Sequence, residues 1–274
     1  MPELPEIETV KLQLQKVLVG QKLLKSNFPE VTGKTVKEIK RLGKVLLINF
    51  DKDLDLGFHF KMTGQLIYEP ERESGRAGEY KRIVGGHPTE DMVAPMPSKH
   101  TRAIFNFEKG TLYFNDMRKF GWVMINPGFV KTLGPEPFDL NTSKFLKLLK
   151  NVKGPIKSAI MNQVVISGVG NIYANDALWE AKINPQIPSH KLQGEQIKTL
   201  LEKIKLVLRE GIKYGGATAA NYVNLHGLGG HYQDHFRTYN REGLPCLRCK
   251  TKIEKVVLGG RGTYYCPECQ RWDK

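Results

Sequence analysis

The sequence predicts an α+β chain, with an N-terminal β-sandwich and flanking helices, a helical second domain, and a C-terminal β-hairpin built around cysteines. Three observations carry that reading. Short runs rich in β-branched and aromatic residues dominate residues 1–133, helical spacing takes over after Leu133-Gly134-Pro135-Glu136-Pro137, and all four cysteines fall within residues 246–269. At 274 residues the chain has room for roughly two hydrophobic cores. The shifts in composition set domain boundaries at 1–133, 134–235 and 236–274.

The first element is a helix. Pro5 suits a first helical turn, and Ile7, Val10, Leu14, Val17 and Leu18 share one face at helical spacing. Strands are predicted over residues 44–50, 56–68, 101–107 and 111–115, the last two joined by the turn Glu108-Lys109-Gly110. Residues 69–98, mixed in charge and rich in Gly and Pro, read as a long exposed loop. Beyond the linker, helices are predicted over 143–150, 156–163, 171–181 and 196–212, the last with Ile197, Leu200, Leu201, Ile204, Val207, Leu208 and Ile212 as its core face. Between the second and third of these, Gly168 and Gly170 let backbone approach backbone or phosphate, and Asn171 is placed to cap the next helix. Helix starts of this kind accept phosphate, although a plain interhelical turn explains the same residues.

Forty-two Lys and Arg against 28 Asp and Glu leave a net charge of +14, spread over all three segments and densest in residues 236–274. A folded basic surface favours polyanions, nucleic acid first, but lysine-rich surfaces are common and charge alone does not decide. The longest purely aliphatic run, residues 45–48, is far below the roughly 20 apolar residues of a membrane span. The first ten residues hold three glutamates and neither a basic nor an apolar leader segment. The expectation is a cytoplasmic, nucleoid-associated protein with no membrane partner.

The cysteines narrow the class. Cys246-x2-Cys249 and Cys266-x2-Cys269, separated by sixteen residues, form a four-thiolate zinc pattern. Each pair sits on one tight knuckle, and two knuckles close a tetrahedron around one structural Zn²⁺ with no coordination position left for water. Two disulfides are the competing reading, which a cytosolic chain disfavours. Residues 252–258 and 263–265 read as strands of a hairpin, with Gly259, Gly260 and Gly262 at its turn and Arg261 at its tip, a charged fork suited to phosphate. His231 and His235 stand one helical turn apart, but the glycines around His226 argue against a second metal.

Three separated motifs then point to a family. The opening Met1-Pro2-Glu3-Leu4-Pro5-Glu6, the turn Ser167-Gly168-Val169-Gly170-Asn171-Ile172-Tyr173-Ala174 and the hairpin Gly260-Arg261-Gly262-Thr263-Tyr264-Tyr265-Cys266-Pro267 resemble the formamidopyrimidine-DNA glycosylases, in the family's order and over nearly the whole chain. Leu4 favours that group over the related endonuclease VIII enzymes, where glycine is usual after the glutamate. The resemblance implies a DNA repair enzyme with a helix-two-turn-helix domain and a zinc finger, working as a monomer on duplex DNA that carries oxidised bases or abasic sites.

The resemblance also assigns roles. Removal of Met1 would expose the secondary amine of Pro2, and α-amino groups titrate near about 7.7 to 8.0, so a useful fraction is nucleophilic at neutral pH. Glu3 would move protons around the sugar; without Pro2 it would be an ordinary acid at a helix start. Lys44 matches a lysine that touches phosphate and the damaged site, and His59, Asn171 and Arg261 match residues that grip phosphates around an extruded nucleotide. Lys157 matches a further active-site lysine. Met62, Arg118 and Phe120 match a trio that fills the gap left by a flipped base, the arginine pairing with the widowed cytosine. Singly, Met62 and Phe120 would read as core.

Two features depart from the family pattern: the long loop over residues 69–99, and Asp176 where glutamate is usual. Residues 215–230 correspond to a mobile loop that contacts the flipped base. The combined expectation is a glycosylase and abasic-site lyase for oxidised purines. The alternatives are an endonuclease VIII-type enzyme for oxidised pyrimidines and a non-catalytic zinc-finger protein that binds damaged DNA.

Overall fold

The computed structural model describes residues 1–71, 82–87, 89–217 and 229–272. The chain divides into two compact units, Met1–Lys131 with Gly215–Gly230, and Thr132–Tyr214 with His231–Lys274.

Among the described residues, the first unit is a two-sheet sandwich with one α-helix. Helix α1 (Leu4–Leu18) buries Leu4, Pro5, Ile7, Val10, Leu14 and Leu18, with proline in its first turn. Nine strands follow: β1 (Leu23–Ser26), β2 (Glu38–Leu42), β3 (Val45–Asp51), β4 (Leu54–His59), β5 (Gly64–Pro70), β6 (Ile83–Gly86), β7 (Thr101–Phe107), β8 (Gly110–Asp116) and β9 (Trp122–Ile125). They form a five-stranded sheet in the order β1-β7-β8-β5-β6 and a four-stranded sheet in the order β2-β3-β4-β9. Both sheets and α1 feed one core, in which Phe58 of one sheet meets Phe105 and Phe114 of the other at 5.6 and 6.0 Å between ring centroids. Offset and edge-on contacts of this kind are the favoured ones between aromatic rings. Alternation along β7 turns Ala103, Phe105 and Phe107 inward, as half-buried strands require.

Two expectations change here. The run over residues 56–68 is two strands, not one. The chain reverses at residues 60–63, where Lys61 takes a left-handed φ of 48° and Gly64 packs so tightly that a Cβ would lie 2.5 Å from the Phe60 carbonyl oxygen. The expected loop over 69–98 contains β6 and a short helical turn at Glu90–Met92. Arg82 anchors it through an ion pair to Glu69 and a hydrogen bond to the Ala94 carbonyl at 2.6 Å. Strands β1, β2 and β9, short and partly polar, carry too weak a local pattern to be read from sequence.

In the second unit, helices α2 (Thr142–Lys150), α3 (Ile156–Met161), α4 (Asn171–Glu180) and α5 (Gly194–Lys213) are followed by the hairpin of β10 (Glu254–Leu258) and β11 (Arg261–Tyr265). Asn141 caps α2 by accepting from the Lys144 amide at 2.9 Å, and α5 buries the apolar stripe expected of it apart from Ile212, which is half-buried. Helix α4 is buried almost all round, from Ile172 to Trp179, because α3, α5 and β11 pack on it. The hairpin turns on Gly259 and Gly260, both at positive φ, as a tight two-residue turn demands. Arg261 is therefore the first residue of β11, paired with Leu258, rather than the tip.

Candidate functional site

In the first unit the site is built on the start of α1. Pro2 and Glu3 are buried, and Glu3 is the N-cap. The Glu3 carboxylate accepts from the Glu6 amide, and Glu6 answers by accepting the Glu3 amide at 2.7 Å, a capping box that fixes the chain ahead of the helix. The other Glu6 oxygen accepts from Ala217 N at 2.7 Å. Gly216, at φ 86°, lies so close that a Cβ would come within 2.7 Å of Glu6. Glu6 thus joins the helix start to the segment leading into residues 218–228, which lie outside the described residues along with most of the expected base-contacting loop and His226.

Lys44 stands at the β2–β3 turn, where Gly43 takes φ 57°. Alone it would read as a solvated strand-end lysine, yet only 7% of it is exposed. The neighbouring Arg41 donates to Glu8 at 2.7 Å and to the Gly43 carbonyl at 3.2 Å, tying this turn to α1. His59 ends β4. Its Nδ1 accepts from the Lys61 amide at 3.0 Å, which leaves the proton on Nε2. Burial, with Lys61 and Lys44 adding repulsion, pulls its pKa down to about 4. At neutral pH the ring is a hydrogen-bond donor without charge.

Met62 and Phe120 are 40% and 56% exposed, so neither belongs to the core. Arg118 lies over the Phe120 ring, 4.9 Å from its centroid. Asp116, fully buried, explains why these three side chains are held. Its carboxylate accepts from Thr63 Oγ1, from Gly121 N at 2.6 Å and from Arg118 N at 3.2 Å, binding the turn that carries Met62 to the one that carries Arg118 and Phe120. Lys119 completes the second turn at φ 60°.

The second unit holds Asn171, Lys157, Arg261 and the cysteines. Gly170 is the N-cap of α4 and Asn171 its first residue, so Asn171 does not cap as expected. Its side chain is half-exposed, and its carbonyl accepts from Asn175 Nδ2 at 2.6 Å. The turn ahead of it is shaped by Gln163, which accepts from Gly168 N at 2.8 Å and donates to the Val169 carbonyl at 2.9 Å. Lys157, which the resemblance matches to an active-site lysine, is held inside the second unit. It is 1% exposed, and its ammonium donates to the Gly262 carbonyl at 2.9 Å and Thr263 Oγ1 at 2.7 Å. Asn175 Oδ1 holds the next residue of that strand, accepting from Tyr264 N at 2.8 Å. Arg261 is exposed beside this anchored stretch.

The four cysteine sulfurs lie within 4.8 Å of one another. The Cys246–Cys269 and Cys249–Cys266 Sγ separations are 3.9 and 3.4 Å, against edges of about 3.8 Å for a tetrahedron of 2.3 Å Zn–S bonds. All four are free thiols, a donor set that fits one structural zinc. One knuckle leans on the end of α4 and the other on the turn that follows it. Trp179 Nε1 donates to Cys246 Sγ at 3.4 Å, and Arg248 stacks on Trp179, 3.6 Å from its ring centroid. On the other knuckle, the buried Gln270 accepts from Cys266 N and donates to the Ile183 carbonyl, both at 2.8 Å. Asp176 sits in the same helix, receiving the amides of Arg237, Thr238 and Tyr239 at 3.0 to 3.2 Å, while burial pushes its carboxyl up. The shorter acid thus still organises the strand of chain that leads to the finger.

Glu6, Asp116, Asn175, Trp179 and Gln270 were missed from sequence. Each works through a partner remote in the chain, and no local period marks such a residue. The one available signal was the cluster of exposed-type Arg and Lys with Met and Phe at residues 117–120, which fits a surface turn better than a core strand.

Three family models match the chain: the formamidopyrimidine-DNA glycosylase N-terminal domain over residues 1–123, the formamidopyrimidine-DNA glycosylase H2TH domain over 133–222, and the zinc finger found in FPG and IleRS over 243–271. A formamidopyrimidine-DNA glycosylase of Ligilactobacillus salivarius is 36% identical, covering 98% of this chain and 99% of the relative. Among solved structures, a Lactococcus lactis FPG mutant in complex with Fapy-dG-containing DNA superposes at a TM-score of 0.82, with 32% identity and coverage of 99% and 100%. The Lactococcus lactis Fpg with abasic-site-containing DNA superposes at 0.81, with 32% identity and coverage of 98% and 100%. With matching models over most of its length, a full-length relative above a third identity, and four thiolates set for zinc, the chain belongs to the formamidopyrimidine-DNA glycosylase family of DNA repair enzymes.

Proposed function

We propose that this chain excises oxidised purines, chiefly 8-oxoguanine and formamidopyrimidines, from duplex DNA and then cleaves the strand at the resulting abasic site. The observation that carries the reading is the N-terminus: Pro2 and a boxed Glu3, both buried, immediately ahead of α1. Neither is needed for binding alone. The relatives solved with Fapy-dG and abasic-site DNA support the same substrate class.

After loss of Met1, the Pro2 nitrogen attacks C1′ of the damaged nucleotide and the bond to the base breaks, the base leaving with the electron pair and gaining a proton. The Pro2 nitrogen gives up its own proton, its lone pair expels the ring oxygen, and Glu3 protonates that oxygen. The iminium so formed acidifies C2′–H; loss of that proton to a base forms the C2′=C3′ bond as the C3′–O bond breaks and the 3′ phosphate leaves, and loss of a C4′ proton then expels the 5′ phosphate. Lys44 and the uncharged donor His59 hold phosphates on the first unit, and Asn171 and Arg261 do so on the second. Met62, Arg118 and Phe120 occupy the space the extruded base leaves. Bound zinc supplies structure to the finger, its four thiolates completing the coordination shell. The three segments 1–133, 134–235 and 236–274 act as catalytic, DNA-gripping and finger domains of a monomer.

Borohydride reduction of the protein with an 8-oxoguanine:cytosine duplex, followed by mass spectrometry of the N-terminal peptide, tests the reading. A DNA adduct on Pro2 is expected. Protein confirmed to start at Pro2 and to bind that duplex, yet forming no adduct, would overturn it. Faster excision of an oxidised pyrimidine than of 8-oxoguanine would move the substrate class to that of endonuclease VIII.

A further inference from the structure

We propose that Asn175, buried in the middle of α4, is a positioning residue that holds Asn171 and Arg261 in register as phosphate ligands. The inference rests on the reading of those two residues as phosphate contacts and names the group that sets them.

Asn175 is 1% exposed, and both ends of its amide are engaged. Its Oδ1 accepts from Tyr264 N of β11 at 2.8 Å, and its Nδ2 donates to the Asn171 carbonyl at 2.6 Å, one turn back along α4. One short side chain therefore joins the first residue of the helix to the strand that begins at Arg261. Lys157 reaches the same strand, but from α3 and through a flexible four-carbon stem. Asparagine suits a helix interior poorly, because its side chain competes for backbone partners. Here that competition is put to use, since one of the partners belongs to another element.

The bridge also fixes which atoms Asn171 offers. A backbone N–H can only donate, so Tyr264 turns the Asn175 oxygen toward the strand and the Asn175 nitrogen toward Asn171. The Asn171 side chain answers with its own oxygen, 3.4 Å from that nitrogen. Its amide nitrogen is left for an acceptor outside the helix, and the side chain is half-exposed. Phosphate oxygens accept hydrogen bonds, so a donor is the group required there. The reverse orientation would set two NH₂ groups face to face and present a carbonyl to the phosphate.

On the strand side, Arg261 leaves a backbone that is held at each of the next three residues: the Gly262 carbonyl and Thr263 Oγ1 by Lys157, and the Tyr264 amide by Asn175. Only the last of these ties the strand to the helix that carries Asn171. Loss of the Asn175 amide would loosen that register without releasing the finger, because α4 keeps its other links. Asp176 still receives the amides of residues 237–239, and Trp179 Nε1 still donates to Cys246 Sγ.

The test measures the affinity of the full-length, zinc-loaded protein for a duplex with a stable abasic analogue across a range of salt. Asn175→Ala and Asn175→Leu are compared in the native chain and in a chain that already carries Asn171→Ala and Arg261→Ala. Leucine keeps the side-chain volume and favours the helix, so it separates loss of the bridge from a cavity. In the native chain each substitution should weaken binding by about tenfold and lower the salt slope by up to about one, as Arg261→Ala itself does. In the chain lacking both ligands the same substitutions should cost less than about twofold, because residues that act through one another are not additive. An undiminished cost in that chain, or a native salt slope in both single variants, would reduce Asn175 to a packing residue and overturn the inference. If Asn171→Ala and Arg261→Ala themselves leave affinity and slope at native values, the phosphate reading fails instead, a separate outcome.

Discussion

Replacing Asp116 should blunt the molecule's preference for damaged DNA more than it harms folding. The buried carboxylate accepts three hydrogen bonds, from Thr63 Oγ1, Gly121 N and Arg118 N. Arg118 N keeps a second acceptor in Thr63 Oγ1 at 3.1 Å, so Asp116→Asn endangers chiefly the Gly121 amide and the hydroxyl. An amide side chain offers one acceptor oxygen in place of two. At about 1.5 to 3 kcal/mol for each hydrogen bond to a charged group, the variant should lose about 2 to 4 kcal/mol locally, part of it recovered by rearrangement of the turns. That is enough to free the turn carrying Arg118 and Phe120 while the sandwich core stays folded. The assay is the ratio of affinities for a duplex with a stable abasic analogue and for the intact duplex. We expect the ratio to fall by about tenfold or more, since 1.4 kcal/mol is a factor of ten. Phe120→Ala serves as the reference for a lost wedge. If Asp116→Asn folds, lowers the urea midpoint, and leaves the ratio at its native value, the turns do not depend on Asp116 for the work assigned to them.

Lys157→Met should lower stability by about 2 to 4 kcal/mol in urea unfolding, because it leaves buried acceptors on the hairpin unpaired. It should leave the salt dependence of DNA binding unchanged, whereas Arg261→Ala should reduce that slope by about one, so a slope lowered equally by both would count Lys157 among the phosphate contacts. His59 has a folded pKa of about 4, below its unfolded value of 6.5. The unfolded chain therefore binds the extra proton in that window, and the contribution, at most roughly 3 kcal/mol, is complete above pH 6.5 and lost as pH falls toward 4. His59→Gln should flatten that part of the stability profile, and an unchanged profile would contradict the burial argument. Stripping the metal with a chelator should weaken DNA binding while leaving near-native circular dichroism from the first unit; full metal loss with unaltered affinity would contradict the role given to the finger.

The parts of this protein that were legible in sequence are those whose information is local. The paired cysteine knuckles, the stripe of α5 and the alternation of β7 each announce themselves within a few residues. The arrangement of the site does not. Glu6 meets Ala217 across 211 positions, and Asp116 meets Thr63 across 53, so neither partner leaves a trace in the spacing of its neighbours. β6 was hidden for another reason. Gly85 and Gly86 look like loop residues, but they are glycines because α1 and β5 leave no volume for a side chain. The burial of Lys157 was not legible either, because a buried lysine and a solvent-facing one look identical until the acceptors are known.

The attachment of both cysteine knuckles to the end of α4 and the turn after it bears on how such proteins can diverge. A finger that rests on Trp179, Ile183 and Asn184 is not a free cassette: Asn184 Nδ2 donates to the Gln270 carbonyl at 2.9 Å, and Trp179 reaches a ligand sulfur directly. A finger transplanted from a relative would arrive without its matching seat. Productive recombination would have to carry the second half of α4 along with the cysteines, and a drift in either should be answered by a change in the other.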